Sequence, residues 1–400
     1  MAHERNRYIK DRIQNALSFS GIVGVLGHRQ VGKTTLLEQL TKKYVTFDQK
    51  KNLLRAKTDP EQFIQDFKLF PSAIDEAQYV PEIFPALKEL VRVNKRPGLF
   101  LLSGSVRFTS KKLIKESLTG RIVNLELLPF SISELEQRPL PSWAMDCAKS
   151  RFTDQSITHD QNWIRLAKKR CDSYLATGGL PGACFLRNSE HREDRFESQI
   201  ETILDRDLRQ VLDTKISYER LRELLRHLAL QQGNPFEWTH LSRSTRISIP
   251  SLRKLIPAFE AIFLIRIIPT EGTEKKSICF LEDQGEAEHL IAGSTPDHQR
   301  YLRILFSNFR HQYHYRLGLS PREFQYRNHG GAYVPFAVHL KTGTLGFVIL
   351  ETENPSESHL ASGRSFLKKY PNSKIFYVHP RLKFDLISEN QMIAPLAAFV

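Results

Sequence analysis

The string Gly27-His28-Arg29-Gln30-Val31-Gly32-Lys33-Thr34 constrains this chain most, because it follows the apolar run GIVGVLG directly and opens a helical pattern directly. A glycine-rich turn between strand and helix gathers backbone N–H groups around one point, and the helix adds the positive end of its dipole. Such a loop cradles phosphate. At these spacings Lys33 reaches β- and γ-phosphate oxygens, and the Thr34 hydroxyl is offered to Mg²⁺. Residues Gly27, His28, Arg29, Gln30, Val31, Gly32, Lys33, Thr34 and Thr35 are therefore expected to bind ATP with Mg²⁺.

Further chemistry falls at the ends of two later apolar runs. Asp75 and Glu76 close SAID: Asp75 is the expected second Mg²⁺ residue, holding the ion through water, and Glu76 the base that orients and deprotonates the attacking water. In LLSGS, Ser103 or Ser105 would end a neighbouring strand within reach of the γ-phosphate, with Ser105 taken as the catalytic candidate. Arg121, after Gly120, could bring positive charge to the transition state across a subunit boundary.

Between residues 21 and 130 the runs GIVGVLG, YVTF, SAID, GLFLLSGS and RIVNLEL alternate with amphipathic stretches, including a helix over 34–43 and PEIFPALKELVRV. This alternation predicts an α/β core on a parallel sheet. Residues 131–215 read mainly as helix, with a polar linker at 138–162 and a turn at TGGLPG (177–182). From 217, SYERLRELLRHLAL, a short helix at 239–245 and a helix capped by Ser248 precede FLIRIIP and KKSICFL, two strands joined around 271–273. Three helices and a hairpin make a winged helix-turn-helix. A third α/β unit follows: a helix bearing Leu302, Leu305, Phe306 and Phe309, strands REFQYR, YVPFAVHL and LGFVILE, a helix near 359–370, and KIFYVH.

Four hundred residues exceed one ordinary core. The expected units are 1–135 (ATPase core), 136–215 (helical lid), 216–285 (winged helix) and 286–400 (C-terminal α/β domain). A net charge of +14 raises attraction to polyanions such as nucleic acid. Arg243, Arg246, Arg253, Lys254, Lys275 and Lys276, around the helix-turn-helix and wing, are the candidate DNA contacts. Cys147, Cys171, Cys184 and Cys279 form no CxxC pair, which argues against a zinc site or disulfide framework. The charged N-terminus and the short, Arg266-broken run at 261–268 predict a soluble cytoplasmic protein with no membrane partner.

In sequence order, GHRQVGKT, AIDEAQ, LLSGS and ESLTGRIVNLELLPFSISEL resemble the prokaryotic AAA+-like ATPases that join an ATPase core to a winged helix and a PD-(D/E)xK nuclease-like domain. YLATGGLPG resembles the family's lid motif, and ETILDRDL its helix with an Arg-Asp pair, here Arg206 and Asp207. The resemblance implies five strands in the order of additional-strand P-loop ATPases, and ATP with Mg²⁺ at Lys33, Thr34, Asp75 and Glu76. It also implies a restriction-nuclease-like C-terminal fold. There the sequence departs: Pro335 stands where the aspartate aligns, and Glu351 is followed by Glu353 in place of lysine. Nuclease activity is not expected, and Glu351 is read as structural.

The leading expectation is an ATPase whose cycle moves the winged helix and C-terminal domain on DNA. An alternative is a nucleotide-gated switch that recruits a protein partner, and a third is a P-loop kinase of a small substrate. The expected partners are ATP and DNA, with a homo-oligomer or a protein partner left open.

Overall fold

The computed structural model describes residues 5–108, 120–147, 152, 161–272, 276–293, 295–317, 321–381 and 384–400. The chain begins with α1 (Ile9–Leu17), β1 (Ile22–Leu26), α2 (Lys33–Leu40), β2 (Lys43–Thr46), α3 (Lys50–Thr58), α4 (Pro60–Gln65), β3 (Ser72–Asp75), α5 (Ile83–Asn94), β4 (Phe100–Gly104) and β5 (Ile122–Glu126). The five strands form one parallel sheet in the order β2-β3-β4-β1-β5. Every residue of β1, β3 and β4 is buried, as a sheet covered on both faces requires. Alternate side chains go to opposite layers. Ile22, Ile74, Phe100 and Leu102 meet Phe63, Ile83, Phe84 and Leu87 of α4 and α5, while Val23, Val25, Ala73 and Leu101 meet Ile9, Ile13, Leu36 and Leu37 of α1 and α2.

Next come α6 (Ile132–Leu135), α7 (Trp143–Cys147), α8 (Gln161–Thr177), α9 (Pro181–Cys184) and α10 (Ser189–Thr202), then a π-helical turn (Ile203–Asp207) and α11 (Leu208–Val211). The stretch expected as a linker contains α7. Trp143 packs its ring against Phe376, Phe384 and Phe399, so three apolar residues between prolines and polar runs anchor a short helix. In α8, Trp163, Ile164, Cys171 and Tyr174 join a core shared with the C-terminal sheet.

The helices α12 (Tyr218–Leu230), α13 (Trp238–Thr245) and α14 (Ile249–Ala261) enclose Leu221, Leu224, Leu225, Leu228, Leu252, Leu255 and Phe259. Ser248 caps α14 by accepting from the Ser251 N–H. An antiparallel pair, β6 (Ile265–Ile268) and β8 (Ile278–Leu281), follows. Between them the expected wing turn differs: Thr270–Gly272 form β7, which pairs in parallel with β9 (Arg322–Arg327) at the edge of a second sheet. Glycine is required there, because Gly272 has φ 124° and an added Cβ would sit 2.0 Å from the Arg327 carbonyl oxygen.

The chain closes with α15 (Gln284–Ile291), α16 (Asp297–His314), β10 (Tyr333–Leu340), β11 (Gly343–Ile349), α17 (Glu357–Lys369), β12 (Ser373–His379), β13 (Asp385–Ser388) and β14 (Gln391–Pro395). The second sheet is mixed, ordered β13-β14-β12-β11-β10-β9-β7. The last pair, β13 and β14, lies beyond the strands that the sequence pattern marks. The unit boundary drawn at 285 falls inside α15, which packs on α8, α10 and α12.

Candidate nucleotide site

Parallel strands share one C-terminal edge, and the loops leaving β1, β3 and β4 meet there. In the loop after β1, Gln30 and Gly32 have φ of 58° and 100°. Alternating left-handed and right-handed residues turn successive N–H groups inward, the geometry of an anion nest. Gly27 approaches the Leu127 carbonyl so closely that an added Cβ would sit 2.4 Å from that oxygen. Lys33 is buried, and its Nζ donates to the carbonyls of Gly27 at 3.0 Å and His28 at 2.9 Å. Burial lowers its pKa, opposed by the carboxylates of Glu76 and Asp75. Thr34 and Thr35 are exposed at the loop mouth.

The Thr34 hydroxyl donates to Asp75 Oδ2 at 2.7 Å, and Tyr44 Oη donates to the same oxygen at 2.6 Å. Ser103 Oγ donates to Asp75 Oδ1 and accepts the Glu76 N–H at 3.0 Å. One hydroxyl and one carboxylate beside a phosphate loop suit a hard, oxygen-seeking cation such as Mg²⁺. Glu76 has φ 55°, uncommon for a residue with a side chain, and this turn gives its N–H to Ser103. Its carboxylate accepts from Gln78 Nε2 and from Ser105 Oγ at 3.4 Å. The structure thus gathers Lys33, Thr34, Asp75, Glu76, Ser103 and Ser105. Arg121 is not among them: it is exposed and precedes β5, at the N-terminal edge of the sheet, opposite the loop.

Partners from outside the motif close the loop from behind. Arg7 reaches the Val31 carbonyl at 2.9 Å and Glu134 at 3.3 Å, with its guanidinium 4.1 Å from the Phe130 ring centroid. Arg29 pairs with Asp207 at 3.2 Å, at the end of the π-helical turn, and Gln199 Nε2 donates to the Arg29 carbonyl at 3.2 Å. Burial pushes the Asp207 carboxyl up, with Arg29 holding it back. His28 is buried with Nε2 3.0 Å from Glu286 on α15. Burial opposes its charge, but the Glu286 carboxylate and a bond to the Arg29 carbonyl carry its pKa up to about 9. Asp283 caps α15 and accepts from the Gly179 N–H at 2.7 Å, drawing the TGGLPG turn against the same helix. Asp207 stands out in the sequence only as half of an Arg-Asp pair, and Arg7, Gln199, Asp283 and Glu286 carry no motif.

The candidate DNA residues divide. Arg243, Arg246, Arg253 and Lys254 are exposed on α13, the turn after it and α14. Lys276 is paired with Glu237 at 2.9 Å, and Lys275 lies outside the described residues. In the second sheet, Pro335 on β10 and Glu351 after β11 line a hollow of about 390 Å³ with His298 and His359. His298 Nδ1 lies 2.6 Å from a Glu351 carboxylate oxygen, and Glu353 pairs with Arg381 instead of lining that hollow.

Residues 20–136 match the family model of an AAA domain, and residues 168–276 match a domain of unknown function. Uncharacterized proteins of Mycobacterium bovis and Mycobacterium tuberculosis are each 28% identical over 258 residues, covering 64% of this chain and 51% of theirs. The chain therefore spans about half the length of these curated relatives. A signal transduction ATPase with numerous domains from Pyrococcus horikoshii, bearing a tetratricopeptide repeat sensor, aligns over 78% of this chain and 48% of its own. Identity is 13% and the TM-score 0.28. A DNA polymerase III gamma subunit-related protein of Thermotoga maritima aligns over 64% of this chain and all of its own, at 10% identity and TM-score 0.26. Those two likenesses are too slight to carry an argument. The five-stranded parallel sheet and the loop after β1 give the N-terminal region the α/β fold of P-loop ATPases, in keeping with its similarity to an AAA domain. Among the described residues no helix is long and apolar enough to cross a membrane.

Proposed function

We propose that this chain binds ATP with Mg²⁺ and hydrolyses it, and that the nucleotide cycle is coupled to DNA through a winged helix. The observation that carries the reading is the Thr34–Asp75 hydrogen bond beside Lys33, at the mouth of the nest. Phosphate oxygens would take the inward N–H groups of residues 27–35 and the Lys33 ammonium, which now satisfies itself on loop carbonyls. Mg²⁺ on Thr34 and, through water, Asp75 would supply neutralisation of the phosphate charge. Glu76 accepts the proton of the attacking water, with Gln78 and Ser105 fixing its carboxylate and Ser103 fixing the turn beneath it. Arg121 could contribute only from a neighbouring subunit, which makes a homo-oligomer part of the reading.

We assign the units as an ATPase core (1–135), a helical lid (136–215), a winged helix (216–285) and a nuclease-like domain (286–400). Exposed Arg243, Arg246, Arg253 and Lys254 on the helix-turn-helix support DNA contact. The wing contributes less, since Lys276 is paired and β7 is bound into the second sheet. That bound wing favours a second reading, a nucleotide-gated switch that recruits a protein partner. Pro335 offers no ligand atom and Glu353 adds negative charge, so metal-dependent DNA cutting is not part of the function. Phosphate release with and without duplex DNA, over a range of salt, separates the readings. DNA stimulation supports coupling to DNA, and a rate indifferent to DNA favours the switch. Phosphate on an acceptor in place of free phosphate points to a kinase.

A further inference from the structure

Beside the helix-turn-helix, residues 212–217 and the start of α12 face the N-terminal half of α14 across a cleft of about 580 Å³. Lys215, Arg220 and Lys254 line it, with Asp213 as the acidic residue of the lining. The loop that carries Lys215 is built rather than loose: Arg209 Nη1 donates to the Thr214 carbonyl at 2.8 Å, and the Ile216 N–H donates to Thr214 Oγ1 at 3.3 Å. Leu255, buried in the three-helix core, forms part of the floor.

Neighbouring basic side chains have found carboxylates. Arg209 pairs with Asp205 at 3.3 Å, Arg222 with Glu197 at 2.8 Å and Arg226 with Glu223 at 3.1 Å. Lys215, Arg220 and Lys254 make no ion pair among the described residues, although Asp213 lines the same cleft. Three cations held in one concavity repel each other unless an anion enters. A guanidinium fork with two ammonium groups matches the tetrahedral oxygens of a phosphate.

We propose that this cleft seats a backbone phosphate of duplex DNA. Lys254 belongs to α14, next to exposed Arg253, so a duplex lying on α14 brings its sugar-phosphate edge past the cleft. Helix-turn-helix proteins set their register through such flanking phosphate contacts, which carry no sequence information. The inference rests on the DNA reading above, and it adds Lys215 and Arg220, which the helix-turn-helix pattern does not single out.

The test measures binding of the full chain to labelled duplexes of several sequences across a salt series. Lys215→Glu with Arg220→Glu should weaken binding alike for all sequences and make the log–log salt slope shallower by about 1 unit, the loss of one phosphate contact. A charge-matched control, Lys368→Glu with Lys369→Glu, should leave the slope in place, and the milder Lys215→Gln with Arg220→Gln pair should reproduce the cleft effect. If wild type binds DNA and the cleft variants match it, or match the control, the cleft is overturned while the DNA reading stands. If wild type fails to bind DNA at all, the DNA reading falls first and the cleft with it. Capture of a phosphopeptide without DNA binding also overturns the proposal.

Discussion

Lys33 has its charge in a place where water cannot reach it, satisfied by two loop carbonyls that bound phosphate would displace from its ammonium. Lys33→Ala should therefore weaken ATP binding at least ten-fold by titration calorimetry, since a donor to a charged group contributes about 1.5–3 kcal/mol. Affinity equal to wild type would remove Lys33 from the site. This residue was legible because its motif is local: the glycines, lysine and threonine lie within one turn of chain, and the strand and helix around them are legible too. Asp75 and Glu76 were legible for the same reason, as acids ending an apolar run. Arg7, Gln199 and Asp207 were not assigned roles at the loop. Arg7 holds the Val31 carbonyl from 24 residues away, Gln199 and Asp207 reach Arg29 from 170 and 178, and beyond the Arg-Asp pair of ETILDRDL nothing local marks any of them as part of the loop.

At the scale of elements, the phosphate loop is tied to α15 through His28 and Glu286. A histidine whose pKa rises from an unfolded value near 6.5 to about 9 adds stability that is fully present below about 6.5 and lost as pH rises through about 9. Asp283, beside it, is pushed up to about 6 by burial and by Glu286, so His28 rather than Asp283 changes charge in that upper window. Urea unfolding should show wild type losing as much as about 3 kcal/mol between pH 6.5 and 9.5 relative to His28→Gln. Parallel pH profiles for the two proteins would show that the contact is not charged. The strands and helices themselves followed from period and capping, as with Ser248 before α14. The exceptions have physical causes. The linker hides α7 because its anchors are few and their partners distant, and β7 is made by pairing with a strand about fifty residues later rather than by its own pattern.

Across the whole molecule, Glu126 at the end of β5 meets Arg266 of β6 and Arg310 of α16, and Arg310 also holds Glu282 at 2.6 Å and Glu323 at 3.2 Å. Burial raises the Glu126 and Glu323 carboxyls, but the surrounding guanidinium groups more than reverse it and hold both well below the usual range. One buried ionic cluster thus joins the ATPase sheet, the hairpin and the C-terminal unit. Arg310→Met should cost about 3–5 kcal/mol in denaturant unfolding, because it strands buried carboxylates. A loss under 1 kcal/mol would mean that the cluster is wet and open. No sequence rule pairs these residues, whose positions run from 126 to 323, so this connection could not be read from the chain. The function proposed for this site is ATP hydrolysis. Its most direct test is phosphate release from ATP and Mg²⁺ by wild type and by Glu76→Gln, with bound nucleotide measured in parallel. Wild type should release phosphate, and the variant should keep ATP bound while turning over about 10²-fold more slowly or worse. Equal turnover by the two proteins, or none by wild type with ATP bound, would contradict it.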